Sequence, residues 1–170
     1  KLVSMGNVVS SAMNTGGASM VGQNIGAEKY DRIPKILKSV FQITIVIAAF
    51  FSVILLVSPN TLYGFFTHEP DVLEIGAKYV PIGCVAFFGG SLRATFNALL
   101  NGCGNSRLNL LVALLDAFLA RVGLALLFGM AFKMGYLGYW LGDALAGYTP
   151  FLIGVWYLLS GRWKKKTITA

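Results

Sequence analysis

The chain has 170 residues, of which 56% are apolar and 12% charged, and its mean hydropathy is +0.69. A soluble domain carries about a quarter charged residues. This chain is too poor in charge to clothe a globule in water, and it reads as a membrane protein. The net charge of +7 does not point to nucleic acid. The cations concentrate in two clusters, 29–38 and 162–166, each flanking an apolar segment, which is the pattern of positive-inside topology and not of a groove-binding face.

The chain opens on Lys1 without a charged-then-apolar leader, and it is expected to be a piece of something longer. The first segment, about 2–27, is only moderately apolar. Asn7, Ser11 and Asn14 stand at i, i+4 and i+7 and share one helical face. Unpaired polar groups are costly in lipid, so this stripe is expected to face a bundle interior or a wet cavity. Gly16-Gly17 weakens the helix midway.

The stretch Gly22–Lys38, GQNIGAEKYDRIPKILK, is a helix stop, a polar turn and a helix start in succession. Gly26 suits a helix end. Asp31 is expected to cap the next helix, and Pro34 suits its first turn. The second segment, 39–58, has no charge and is long enough to cross a hydrocarbon core of about 30 Å. Pro59-Asn60 ends it. The loop that follows carries Glu69, Asp71, Glu74 and, as its cation, Lys78. Pro70 with acids behind it reads as a helix N-terminus. His68 is expected to be a solvated loop residue without partner ligands.

The third segment, 79–100, holds Pro81, Gly89-Gly90 and Arg93, with Arg93, Asn97 and Asn101 on one face at i, i+4 and i+8. The turn NGCGNSR, 101–107, returns the chain. The fourth segment, 109–132, carries Asp116 and Arg121. The fifth, 137–159, carries Asp143 and a Gly138/Gly142/Ala146 stripe that lets a neighbouring helix approach closely. Pro150 is expected to kink it. Trp156, Tyr157 and Trp163 are expected at the membrane interface. Cys84 and Cys103 read as buried free thiols, with no metal site or disulfide framework.

Cations decide the orientation. Loops 27–38 and 101–108 and the tail 160–170 hold nine, whereas the two intervening loops hold Lys78 and Lys133. The richer side is expected to be cytoplasmic, including the C-terminus.

Arg93, Asp116, Arg121 and Asp143 lie at membrane depth, where each costs roughly 2.5–3.5 kcal/mol alone. At about 1.5 Å per residue, Arg93 and Asp116 match in depth, and Arg121 and Asp143 differ by about 7 Å. Two ion pairs are expected, Arg93–Asp116 and Arg121–Asp143. Two readings stand: they clamp helices, or one aspartate handles a coupling cation or proton. No HExxH, GxSxG or phosphate loop is present, so no catalytic residue, metal or cofactor is expected.

GQNIGAEKYDR (22–32) after a small-residue helix, NGCGNSR, Asp116 and Arg121 in the penultimate helix, and GYWLGDALAG (138–147) in the last resemble, in that order, the second lobe of multidrug and toxic compound extrusion (MATE) transporters. The resemblance covers essentially the whole chain. It implies an all-α membrane protein in which five transmembrane helices form most of the C-terminal six-helix lobe of a twelve-helix transporter. It further implies export of cationic or amphipathic organic compounds across the plasma membrane by Na⁺ or H⁺ antiport, the other lobe being the missing partner. The pathway candidates from the residues are Asn7, Ser11, Asn14, Arg93, Asn97, Asp116, Arg121 and Asp143. Some family members carry a coupling carboxylate in the tenth helix. Gly90 occupies that place here, so no coupling site carries over. A flippase for lipid-linked precursors and a non-transporting membrane subunit are the alternatives. The first predicts a cavity rich in cations, the second fully paired charges and no cavity.

Overall fold

The computed structural model describes residues 2–65 and 68–165. Their regular structure is helical throughout: α1 Leu2–Gly26, α2 Ile33–Val57, α3 Pro59–Gly64, α4 Pro70–Gly102, α5 Ser106–Ala131, α6 Tyr136–Ala146 and α7 Thr149–Leu159. Among the described residues, three helices are long and apolar enough to cross a membrane: Tyr30–Val57, Pro70–Gly102 and Ser106–Ala131. α1 is too rich in Asn, Ser and Gly for that pattern. α6 and α7 are 11 residues each, about 16 Å apiece.

α1 stays helical through Gly16-Gly17 and ends at Gly26, as its sequence predicts. The reversal falls two residues later, on Glu28 at φ 55°, not on a glycine. Asp31 does not cap α2. It lies in a 3₁₀ turn, Tyr30–Arg32, and Arg32 takes the cap position without a side-chain bond. That turn already lowers the chain into helical geometry, so Pro34 enters at the second helical position, where its missing N–H costs nothing. Pro59 likewise opens the short α3, and Pro70 opens α4 with Glu69 as its cap. The turn 103–105 uses Gly104 at φ 64°, and the Asn105 side chain accepts from the Leu108 amide at 3.3 Å.

The last segment breaks where a kink is expected. α6 stops at Ala146, and α7 restarts at Thr149 with Pro150 in its first turn. A proline ring collides with the carbonyl four residues earlier, and two short helices avoid that collision. Pro81, by contrast, lies inside α4, which continues past it.

α4 is the central helix and packs on α1, α2, α5 and both halves of the last segment. In lipid the hydrophobic drive between helices is weak, so small residues and interhelical hydrogen bonds decide the packing. A Cβ on Gly102 would stand 2.6 Å from Val21 Cβ and 2.7 Å from the Ala18 carbonyl oxygen; one on Gly17 would stand 2.9 Å from Ala98 Cβ. α1 and α4 therefore cross nearly backbone to backbone. The Gly138/Gly142 stripe works the same way against α5: a Cβ on either would lie 2.5 Å from the main chain of Phe128 or Ala125. Between α4 and α2, Ser91 Oγ donates to the Thr44 carbonyl at 2.9 Å.

Two apolar clusters close the ends. One gathers Val21, Ile33, Leu37, Leu99 and Cys103 around Tyr157 and Trp163; the other joins Ala48, Leu55, Val80 and Phe87. Tyr157 and Trp163 are each 3% exposed, so they fill the core and do not ride the interface. Trp163 packs edge-on to Tyr30 at 5.9 Å and donates its indole N–H to the Leu158 carbonyl. Only Trp156 of the three is exposed, with Arg162 over its ring. Lys166 of the basic tail lies outside the described residues.

Candidate functional site

The four membrane-depth charges converge. Arg93 Nη2 on α4 donates to both carboxylate oxygens of Asp116 on α5 at 2.6 Å. Arg121 Nη1, also on α5, donates to Asp143 Oδ1 on α6. Both pairs expected from depth are thus in contact, and a third bridge joins them. Arg121 Nη2 stands 3.5 Å from Asp116 Oδ2. The result is one alternating ladder, Arg93–Asp116–Arg121–Asp143, across three helices.

The third bridge needs a local departure from α-helix. Five residues at about 100° each would leave Asp116 and Arg121 roughly 140° apart around the axis. Residues Leu115–Val122 are instead π-helical. In that winding the hydrogen bonds run from i to i+5, which stacks residues five apart on one side. A second π-helical stretch, Leu127–Ala131, follows.

The ladder is graded in exposure. The side chains of Asp116, Arg93, Arg121 and Asp143 are 13%, 32%, 40% and 57% exposed. Asp116 has two guanidinium neighbours and little access. Asp143 has one and is open.

Asp143 opens on a cavity of about 340 Å³. α1 contributes Asn7, Ser10, Ser11 and Asn14 to its wall; α4 contributes Gly90, Arg93 and Asn97. Arg121 and Asp143 complete the polar lining. The polar stripe of α1 and that of α4 therefore line one cavity, where helical spacing by itself predicts only that each set shares a face. Asp116 lies behind, in a second cavity of about 230 Å³ that also touches Asn101 and Asn109. Arg93 and Asn97 line both spaces and form the partition.

Below the partition, Asn101 Nδ2 donates to Asn14 Oδ1 at 3.2 Å, and Asn109 Nδ2 donates to Asn101 Oδ1 at 3.0 Å. This amide relay ties α1, α4 and α5 together. Its last acceptor, Asn109 Oδ1, is buried without a protein partner, and it borders a cavity with room for water. Ser10 and Asn109 are the site residues that the sequence reading passes over. Their signal is spacing: Ser10 stands four before Asn14, and Asn109 seven before Asp116. His68 is exposed, and among the described residues no cluster of His, Cys, Asp or Glu is arranged to hold a metal.

Comparison with known proteins agrees with this architecture. The MatE family model matches residues 1–127. The chain is 27% identical over 133 residues to a probable multidrug resistance protein NorM of Thermotoga maritima, covering 78% of this chain and 27% of that protein. It is 28% identical over 147 residues to multidrug and toxin extrusion protein 1 of Pongo abelii, covering 85% and 25%. In three dimensions it superposes on the crystal structure of the eukaryotic MATE transporter AtDTX14 with a TM-score of 0.78 at 20% identity, over 96% of this chain and 36% of that one. The chain thus spans about a quarter of the length of the curated relatives it matches. Helices α1 to α4, the loop motif after α1 and the turn after α4 all fall within the matched residues: this chain belongs to the MatE family of membrane proteins.

Proposed function

We propose that this chain forms most of the C-terminal lobe of a secondary active exporter that moves cationic or amphipathic organic compounds by antiport with Na⁺ or H⁺. On this reading it crosses the plasma membrane five times, near 2–27, 39–58, 79–100, 109–132 and 137–159, with its C-terminus in the cytoplasm. The observation that carries it is a polar cavity inside a MatE helix bundle, with an ionisable ladder on its wall. Such cavities at membrane depth are where transporters hold substrate and coupling ion, and the two lobes rock around them.

Asp143 is the ladder's best coupling group. It is open to the cavity, and the one cation it pairs with, Arg121, also has Asp116 nearby. A flippase for anionic precursors is less well supported, because both arginines of the site are already engaged by carboxylates. A purely structural subunit has no use for the cavity.

The test is ethidium accumulation in cells expressing the full-length protein, with and without Na⁺ or a pH gradient. Lower accumulation that depends on one gradient supports antiport. Equal accumulation, or efflux indifferent to both gradients, overturns it. Labelling of cysteines introduced at 65 and 164 tests the orientation; modification of both from one side refutes it.

A further inference from the structure

A second feature lies away from the ladder. α1 and α2 diverge on the side remote from Asp143 and leave an open cleft of about 720 Å³, within the range of small-molecule sites, about 300–1,000 Å³. Its walls are mainly apolar, Met13, Gly16 and Met20 from α1 and Ile36, Val40 and Ile43 from α2, with Asn24 and Ser39 as the polar residues among them. Its rim, at the turn between the helices, carries Arg32 and Lys35. Both are exposed, and the ion pairs of the described residues all lie elsewhere. Asp31 also borders the rim, so cations exceed acids there by two to one.

The direction of this polarity matters. From Arg32 to Ile43 the cleft descends eleven residues, about 16 Å along the helix, from a charged rim past Ser39 to an apolar end. A groove between two lipid-embedded helices with cations at one end and hydrocarbon walls below has the chemistry of a phospholipid: a phosphate at the rim, an acyl chain in the slot. Gly16-Gly17 shows how the slot is kept open. Gly17 is pressed between Ala98 and Val40, whereas a Cβ on Gly16 meets nothing within 4 Å. The adjacent glycines thus divide the work, one making the crossing and the other leaving the space.

We propose that the α1–α2 cleft is a binding site for an anionic phospholipid, whose headgroup is held by Arg32 and Lys35 and whose acyl chain lies along Gly16. The proposal rests on membrane embedding and not on efflux.

The test is lipid retention by the full-length protein in detergent, read by native mass spectrometry, with phosphatidylglycerol and phosphatidylcholine of identical chains. A cation near a lipid surface favours an anionic lipid by roughly fivefold, so about a fivefold to tenfold preference for phosphatidylglycerol is expected. R32Q/K35Q should bring the two lipids within about twofold. Gly16→Leu, which fills the slot at an open and helix-compatible position, should lower retention of both lipids without loss of thermal stability. Lys164→Gln, on the tail that folds back on Tyr30 but outside the lining of the cleft, should leave the preference intact. Equal retention of the two lipids by wild type overturns the proposal. So does a preference that survives R32Q/K35Q, retention unchanged in Gly16→Leu, or an equal loss in Lys164→Gln, which would assign the effect to general surface charge.

Discussion

The α5–α6 seam and the ladder that bridges the same two helices solve opposite problems. Along the seam, Gly138 and Gly142 bring α6 onto the α5 backbone and leave no space for even a methyl group. Farther round the same helices, Arg121 and Asp143 hold them together across the edge of a cavity. One contact works by excluding everything, the other by compensating charge. The seam tolerates no added volume. The ladder tolerates change at its open end and little at its closed one.

The sharpest way to break this contrast is volume. Gly142→Leu places side-chain atoms into the Ala125 main chain, which cannot rotate away as a side chain can. Overpacking costs about 1–3 kcal/mol where side chains yield; here about 3 kcal/mol or more is expected. The full-length variant should melt well below wild type or fail to accumulate. A wild-type melting temperature would mean that α6 does not ride on α5 as described.

Within the ladder the two carboxylates should separate. Asp116→Asn leaves Arg93 without its countercharge at a site where the replaced side chain is 13% exposed. A cost of about 2–4 kcal/mol is expected, toward the lower end of breaking a buried pair because Arg93 is itself 32% exposed. Asp143→Asn removes a partner that is 57% exposed, and should cost about 0–1 kcal/mol. Thermal melts of the two variants side by side test the gradation; equal losses would erase the distinction between a closed and an open end.

Transport should invert that order. If the proposed antiport holds, Asp143→Asn keeps the full-length protein folded and yet abolishes the dependence of efflux on the coupling gradient. Measured efflux and pH dependence identical to wild type would remove Asp143 from coupling and leave the ladder as a helix clamp.

Much of this was legible in the residues. Depth alone matched Arg93 with Asp116, because a helix converts sequence position into height at a constant rate, and it left Arg121 and Asp143 about 7 Å apart, a gap that long side chains cover. Spacing alone put Asn7, Ser11 and Asn14 on one face of α1 and Arg93 with Asn97 on one face of α4. What sequence arithmetic did not reach is whatever departs from ideal winding. The Asp116–Arg121 bridge exists because α5 is π-helical there, and a rule of 3.6 residues per turn sets those side chains apart. Tyr157 and Trp163 were read as interfacial from composition, but the tail folds back on Tyr30 and buries them, a long-range packing choice. Asp31 looked like a cap, and a single 3₁₀ turn moved the cap to Arg32.

The finest test lies at the α2–α4 contact, which has neither the seam's tightness nor the ladder's charge. Ser91 Oγ donates across to the Thr44 carbonyl at 2.9 Å and also lies 3.3 Å from the Phe87 carbonyl of its own helix. Ser91→Ala deletes the donor and keeps the volume nearly unchanged. The carbonyls it leaves are not orphaned as a charge would be, since Thr44 and Phe87 sit within continuous helices. Interhelical hydrogen bonds in membranes average about 0.6 kcal/mol, so a loss of that order is expected, several times smaller than for Gly142→Leu. A loss as large as that of Asp116→Asn would mean that a neutral hydrogen bond, and not backbone proximity or charge, is what fixes α4 in the bundle.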